Sequence, residues 1–233
     1  MIQGLCVSLV IPTHNEARGI AAVIAQVPAE VDEILIVDWA SDDGTPDIAA
    51  QAGARVIHEP RRGYGRAYLT GVPAAQGDIV ATADADGTYP VQRIPQLVAQ
   101  LLDNKLDFIS CARFPLDRTG SMARRNRIGN RLLTATANGL FGLHLDDLLS
   151  GMWVFQKDCW QQLAPQSPTW NMSQEVKLRA ATTLGPAFAE RWIPYASRLG
   201  DSKLSPLAVG RENLLHLLQL RWELRGQRPD AGT

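Results

Sequence analysis

The chain has 233 residues, 45% hydrophobic and 20% charged, with a formal net charge of −1. These values exclude a disordered or low-complexity polypeptide and a protein drawn to nucleic acid by overall charge, and they suffice for one sizeable core. Cys6, Cys111 and Cys159 are odd in number and lack metal-ligand spacing, so they read as small core residues of a reduced compartment.

Residues 5–11 (LCVSLVI) form a continuous apolar run, the pattern of a strand buried on both faces, with Pro12 expected to end it. A helical pattern follows Asn15-Glu16 through Ile20, Val23, Ile24 and Val27 and stops at Pro28. The unit then repeats. Strands are predicted over 33–38, 54–58 and 79–83, and helices over 45–52, 64–76 and 91–103. This alternation predicts an α/β fold with a doubly wound, mostly parallel sheet and helices on both faces, whose ligands bind at the carboxyl ends of the strands.

A further strand is expected over 107–112, delivering Arg113. Residues 123–142 read as one long helix, basic in its first half and apolar in its second. Arg124, Arg127 and Arg131 share one face of it, where arginines near a helix start oppose the macrodipole and call for an anionic partner. Then come a strand over 151–156, an amphipathic helix over 172–184, an edge strand over 187–194, a polar loop over 195–205 and a leucine-rich helix over 206–225. No linker or repeat interrupts the chain, so one domain spans 1–233. No run approaches the ~18 apolar residues of a membrane span, and the N-terminus lacks the basic n-region of a signal peptide. A cytoplasmic protein is expected, peripheral at the cytoplasmic membrane face if it works on a membrane.

In residues 78–90 (DIVATADADGTYP) a buried strand gives way to Asp84 and Asp86. Side chains at i and i+2 of an extended chain point the same way, so both carboxylates can converge on one hard cation, Mg2+ or Mn2+, bridging to phosphoryl oxygens. The string DADGT also matches the haloacid-dehalogenase-like phosphatases, with Asp84 as nucleophile. That motif usually sits on the first strand of its fold, whereas here three predicted strands precede it.

Segments 7–16 (VSLVIPTHNE), 34–45 (ILIVDWASDDGT), 62–78 (RGYGRAYLTGVPAAQGD), 79–90 and 108–114 (FISCARF) stand in the order and spacing of family 2 glycosyltransferases of the GT-A (nucleotide-diphospho-sugar transferase) fold. Segments 129–142 (GNRLLTATANGLFG) and 195–204 (YASRLGDSKL), with Asp147 and Ser150-Gly151, resemble the branch of the dolichol-phosphate-mannose and polyprenyl-phosphate-glucose synthases.

The resemblance implies an inverting hexosyltransferase that takes UDP-glucose or GDP-mannose type donors. Residues 1–114 would hold the nucleotide sugar, 115–205 the acceptor, and 206–225 would be an amphipathic C-terminal helix. Pro12, Thr13 and Glu16 would line the base and ribose pocket, and Asp38 would touch the nucleoside. Arg66 and Arg113 would face phosphates, Ala85 would lie in the donor site, and Asp84 and Asp86 would serve the metal and diphosphate. Arg127, Arg131, Arg198, Ser202 and Lys203 would grip the phosphate of a polyprenyl phosphate or small-molecule acceptor, or the donor diphosphate.

A phosphate acceptor needs no protein base. For a hydroxyl acceptor, Glu175, or secondarily Asp147, is the carboxylate expected to act as one. Trp39, Leu149 and Trp153 depart from the family pattern and keep a non-catalytic nucleotide-binding subunit as the alternative. No nucleic-acid partner is expected. The C-terminal helix is expected to pack on the core or on a second copy of the chain, or else to lie on a membrane surface.

Overall fold

The computed structural model describes residues 1–117, 121–198 and 206–225. Its strands and helices, in chain order, are β1 (Val7–Thr13), α1 (Ile20–Ile24), β2 (Glu33–Asp38), α2 (Thr45–Gln51), β3 (Arg55–His58), α3 (Tyr64–Ala74), β4 (Ile79–Thr82), α4 (Ile94–Asp103), β5 (Phe108–Ala112), α5 (Arg124–Phe141), β6 (Trp153–Gln156), α6 (Cys159–Leu163), α7 (Met172–Thr183), β7 (Phe188–Trp192) and α8 (Pro206–Arg225).

The strands form one sheet in the order β3-β2-β1-β4-β6-β5-β7. Four of its six neighbouring pairs are parallel, and β6 runs antiparallel to both β4 and β5. The sheet is therefore mixed, mostly parallel, as the alternation of elements implied. Chain order reverses between β1 and β4, and at such a switch point the loops leaving the strand ends part and open a crevice.

Pro12 does not end the first strand. It lies inside β1 opposite Val37, while pairing with β4 reaches only Val10, so the missing proline N–H falls where β1 has a neighbour on one side alone. The short helix α6, about a turn and a half long after β6, is not expected from the apolar pattern.

Alternation along β1 sends its side chains to two cores. Val7, Leu9 and Ile11 join Ile20, Val23, Ile94, Leu97, Val98 and Leu101 of α1 and α4 on one face. Val10 joins Ala67, Tyr68 and Val72 of α3 on the other. The spacing of Ile94, Leu97, Val98 and Leu101 is one helix stripe, and each such side chain contributes roughly 1.5–3 kcal/mol on burial. Cys111 and Cys159 are buried and Cys6 partly so, all as free thiols. Burial pushes the Cys111 and Cys159 thiols up to about 12, away from reactivity.

A third cluster joins α5, α7 and α8 through Leu133, Ala137, Phe141, Leu178, Leu217 and Leu220. The C-terminal helix thus packs on the rest of the chain along one face. Its Leu214, Leu215, Leu218 and Trp222 stay exposed, as do Ile128 and Leu132 on α5. No helix among the described residues is long and apolar enough to cross a membrane.

Candidate active site

Parallel pairing of β1 with β2 and with β4 brings Thr13, Asp38 and Asp84 to the same edge of the sheet. There a cleft of about 180 Å³ opens, and Pro12, Glu16, Asp84, Ala85, Asp86 and Arg198 line it together with four aromatic rings, His14, Trp39, Tyr64 and Trp170. A larger depression, about 430 Å³, lies among α6, α7 and α8 and includes Arg179 and Glu223, already ion-paired at 3.3 Å. It contains none of the sequence-predicted site residues.

Asp84 and Asp86 differ in their surroundings. Asp86 is buried, its Oδ1 accepting from the Thr88 hydroxyl at 2.6 Å and the Thr88 backbone N–H at 3.0 Å, a local turn that fixes the carboxylate. Thr88 therefore serves Asp86 directly and precedes rather than starts the following helix. The other oxygen of Asp86 meets Arg198 at 3.4 Å, and the same guanidinium reaches Glu16 at 3.4 Å.

Asp84 Oδ1 accepts only a long bond from the Tyr64 hydroxyl, 3.2 Å. Burial and the neighbouring Asp86 charge push the Asp84 carboxyl up to about 7. Gly151 permits this approach, since a Cβ there would collide with the Tyr64 hydroxyl.

Two carboxylates at one point, the buried Asp86 with a guanidinium as counter-ion and the half-buried Asp84 with its pKa raised, form a donor set that fits a divalent cation. Among the described residues no cluster of three or more acidic, His or Cys side chains could hold a metal alone. A cation here would take its remaining ligands from a bound diphosphate and water, the usual arrangement for Mg2+-type sites.

A test follows from linkage. Asp84 binds its proton more tightly folded than unfolded, so its own contribution to the stability of the metal-free protein falls as pH rises from 3.8 to about 7. Asp84→Asn keeps the acceptor for Tyr64 and removes the charge. It is expected to raise the metal-free melting temperature at pH 8 by about 3 °C or more, measured by calorimetry, and to make that temperature insensitive to Mn2+ plus nucleoside diphosphate. An unchanged or lowered melting temperature would contradict the buried-charge account.

The other sequence-predicted residues divide into those at the cleft and those behind it. Asp38 is fully buried: it accepts from the Thr13 hydroxyl at 2.9 Å and from Ser41 through both hydroxyl, 2.5 Å, and backbone, 3.1 Å. Thr13 and Asp38 thus tie the loops after β1 and β2 together, and neither lines the cleft. Trp39 does line it, stacked on His14 with ring centroids 4.5 Å apart.

Gly63 and Gly65 pack against the backbone carbonyls of Pro168 and Ser167, and the Arg66 N–H donates to Pro168 at 3.0 Å. The glycine-rich turn is therefore a packing surface for loop 165–171. The Arg66 Nε is buried without a hydrogen-bond partner among the described residues.

Arg113 is buried behind the cleft, held bidentately by Asp147 at 2.6 and 2.9 Å, with its guanidinium 5.2 Å from the Tyr195 ring. Asp147 also accepts from Asn130 at 2.9 Å, and Lys177 donates to its backbone carbonyl. These partners hold the Asp147 carboxyl well below the usual carboxylate range despite its burial. Asp147 is thus an anchor rather than a free base.

Glu175, expected as a base for a hydroxyl acceptor, is also engaged. Its oxygens accept from the Gln166 and Ser167 N–H groups at 3.1 and 2.7 Å, and it pairs with Arg179 at 2.7 Å, outside the cleft lining. Arg131 lies over the Phe114 ring at 5.7 Å and Arg127 is exposed on α5; neither lines the cleft. Ser202 and Lys203 lie outside the described residues.

Sequence reasoning passed over Tyr64, Trp170 and Asn130. Tyr64 stands between two glycines and Trp170 two residues after Pro168, which reads as ordinary loop packing. Asn130 was visible only as part of the string GNRLLTAT.

The comparisons with known proteins agree with this geometry. Residues 8–163 match the model of the family described as glycosyl transferase family 2. The chain is 34% identical to a dolichyl-phosphate hexose transferase of Haloferax volcanii over 87% of this chain and 88% of that protein. It is 30% identical to an undecaprenyl-phosphate mannosyltransferase of Micrococcus luteus, covering 92% and 95%.

In structure it is similar to glucosyl-3-phosphoglycerate synthase of Mycobacterium tuberculosis, solved with Mn2+, UDP-glucose and phosphoglyceric acid. The TM-score is 0.77 and the identity 26%, over 98% of this chain and 82% of that one. The phosphatase reading of DADGT falls with these findings, because the motif lies after the fourth strand of a GT-A sheet. The chain belongs to glycosyl transferase family 2 and is a glycosyltransferase of GT-A fold, similar to the enzymes that charge polyprenyl phosphates with hexoses.

Proposed function

We propose that the chain transfers a hexose from a nucleotide diphosphate sugar to a polyprenyl phosphate, with inversion at the anomeric carbon. The observation that carries this is the convergence of Asp84, Asp86 and Arg198 at the switch-point cleft, where the carboxylates of the lining among the described residues are Glu16, Asp84 and Asp86. Glu16 and Asp86 face Arg198, and Glu175 and Asp147 are spent on internal contacts, so an acceptor that arrives ionised suits the cleft best. A phosphate acceptor is such a group, with a second pKa of about 6.

Pro12, Glu16 and Ala85 would line the nucleoside end beside Trp39, with Thr13 and Asp38 shaping it from behind. Asp84 and Asp86 would hold Mg2+ or Mn2+, which when bound neutralises charge on the diphosphate leaving group. Arg198, which faces Glu16 and Asp86 at 3.4 Å, would pair with phosphoryl oxygens, and Arg113 would add positive potential from behind. An acceptor phosphate oxygen would then attack the anomeric carbon as the bond to the nucleoside diphosphate breaks. Arg127 and Arg131, with Ser202 and Lys203, are assigned to the approach of the acceptor headgroup.

Ile128 and Leu132 of α5 are exposed on the same helix as the exposed arginines 124, 125 and 127, and α8, which packs on α5, exposes Leu215, Leu218 and Trp222. Apolar side chains rimmed by arginine suit an anionic membrane surface, where a lipid-linked acceptor resides.

One assay tests the whole reading. UDP-glucose and GDP-mannose are offered with Mn2+ to a short-chain polyprenyl phosphate in solution, to a long-chain one in anionic vesicles, and to the unphosphorylated alcohol. The expected product is hexosyl phospholipid from both phosphates and none from the alcohol. Leu218→Glu with Trp222→Glu is expected to slow transfer several-fold on vesicles only. Transfer to hydroxyl acceptors alone would overturn the acceptor assignment.

A further inference from the structure

We propose that Trp170 is the platform on which the transferred hexose rests, with Glu175 as the positioning residue that sets it in place. The inference builds on the donor reading above.

Trp170 stands in the loop between α6 and α7, and that loop is anchored from several directions. Glu175, in the first turn of α7, reaches back to the N–H groups of Gln166 and Ser167, and Arg179 fixes Glu175 from one helical turn onward. The Pro168 carbonyl accepts from the Arg66 N–H at 3.0 Å. At Gly63 and Gly65 the backbone of α3 comes so close to this loop that no Cβ would fit. Carboxylate, guanidinium and two glycines thus fix the path of a loop that contributes Trp170 to the cleft.

The indole lies almost parallel to the Tyr64 ring, at 18° and 4.6 Å between centroids, and it remains partly exposed at the cleft. Tyr64 in turn donates its hydroxyl to Asp84 Oδ1 at 3.2 Å. The platform therefore adjoins the carboxylate that would hold the diphosphate, and the group next to that diphosphate on the donor is the hexose ring. A pyranose presents a face of C–H groups that packs on an aromatic ring, while its hydroxyls need polar partners at the rim. Asn171, the residue after Trp170, has a buried Oδ1 without a partner among the described residues.

The second aromatic pair of the cleft, His14 on Trp39, follows the ends of β1 and β2 beside Pro12 and suits the planar base. The two stacks thus serve the two ends of the donor.

The experiment compares UDP with UDP-glucose, and GDP with GDP-mannose, by titration calorimetry in Mn2+ for the wild-type chain, Trp170→Ala, Trp170→Phe and Glu175→Gln. Trp170→Ala is expected to weaken binding of the sugar nucleotide about tenfold while leaving the affinity of the matching nucleoside diphosphate within twofold. Trp170→Phe should retain most of the sugar-dependent gain. Glu175→Gln should lose part of it, with transfer affected through KM more than kcat.

Equal weakening of nucleotide and nucleotide sugar in Trp170→Ala would assign the ring to the base or to structure and overturn the proposal. Retention of full sugar affinity would overturn it as well. Absence of Mn2+-dependent binding of either nucleoside diphosphate to the wild-type chain would instead overturn the donor reading, and this inference with it.

Discussion

Asp86→Ala is expected to lower kcat/KM for hexose transfer by about 10³-fold or more and to abolish Mn2+-dependent binding of the donor nucleotide. The size follows from the several kcal/mol by which a bound divalent cation stabilises a departing diphosphate, at 1.36 kcal/mol per tenfold. Asp86 is the better placed of the two carboxylates for this role. Its Oδ1 is fixed by Thr88 and its Oδ2 already faces a cationic group, Arg198, at 3.4 Å.

Asp86→Asn separates charge from shape, since it can keep the contact with Thr88 while losing the charge. It should fail to bind the metal-nucleotide complex as completely as the alanine variant, with an unaltered melting temperature. Calorimetry with UDP and GDP, each with Mn2+ and with EDTA, reads both. Affinities that are equal with and without EDTA in the wild-type chain would refute the metal site.

Asp147→Ala is expected to destabilise the fold by about 3–5 kcal/mol, the usual cost of leaving a buried charge unpaired. Asp147 and Arg113 are both buried and joined by two short hydrogen bonds, while Asn130 binds the same carboxylate and Lys177 the backbone carbonyl of Asp147. Removing the carboxylate leaves Arg113 and Lys177 buried with Glu190, 3.7 Å from Lys177, as the remaining anion. It also frees Asn130, through which α5 is fastened to the loop before β6.

Urea denaturation should show a lower midpoint at unchanged slope, and the melting temperature should fall by about 10 °C. Replacing both partners with apolar residues, Asp147→Leu with Arg113→Met, should cost less than Asp147→Ala alone, because no charge is then stranded. The pH dependence has a definite sign. The folded-state Asp147 carboxyl lies below its ordinary value of 3.8, so its contribution is fully present above that pH and disappears only as pH falls further. Asp147→Ala should therefore narrow the gap to wild type in strong acid and not at pH 6. A loss under 1 kcal/mol at neutral pH would show that the network is not an anchor.

These two carboxylates show how unevenly a sequence displays its chemistry. Asp84 and Asp86 were legible because they follow an apolar strand at spacing i and i+2, and a period-two chain can only present them together. Asp147 and Glu175 were legible as carboxylates but not as anchors. Their partners lie on other elements: Arg113 is 34 residues from Asp147, and Gln166 and Ser167 meet Glu175 only because loop 165–171 turns back on α7. Asp38 belongs with them, since whether it faces a ligand or a neighbouring loop depends on where Thr13 and Ser41 lie.

The succession of strands and helices apart from α6, the buried character of β1 and β4 and the placing of the DAD segment at a strand end were all legible in the amino-acid sequence. Each follows from apolar periodicity and from breakers such as glycine and proline, which are local properties. The antiparallel entry of β6 into the sheet, the continuation of β1 through Pro12, and the meeting of Tyr64 and Trp170 with the carboxylates while Glu175 and Asp147 turn away from the cleft emerged with the three-dimensional packing. Those outcomes depend on pairings between residues far apart in the chain, where burial forces each charge to find its counter-charge and each donor its acceptor.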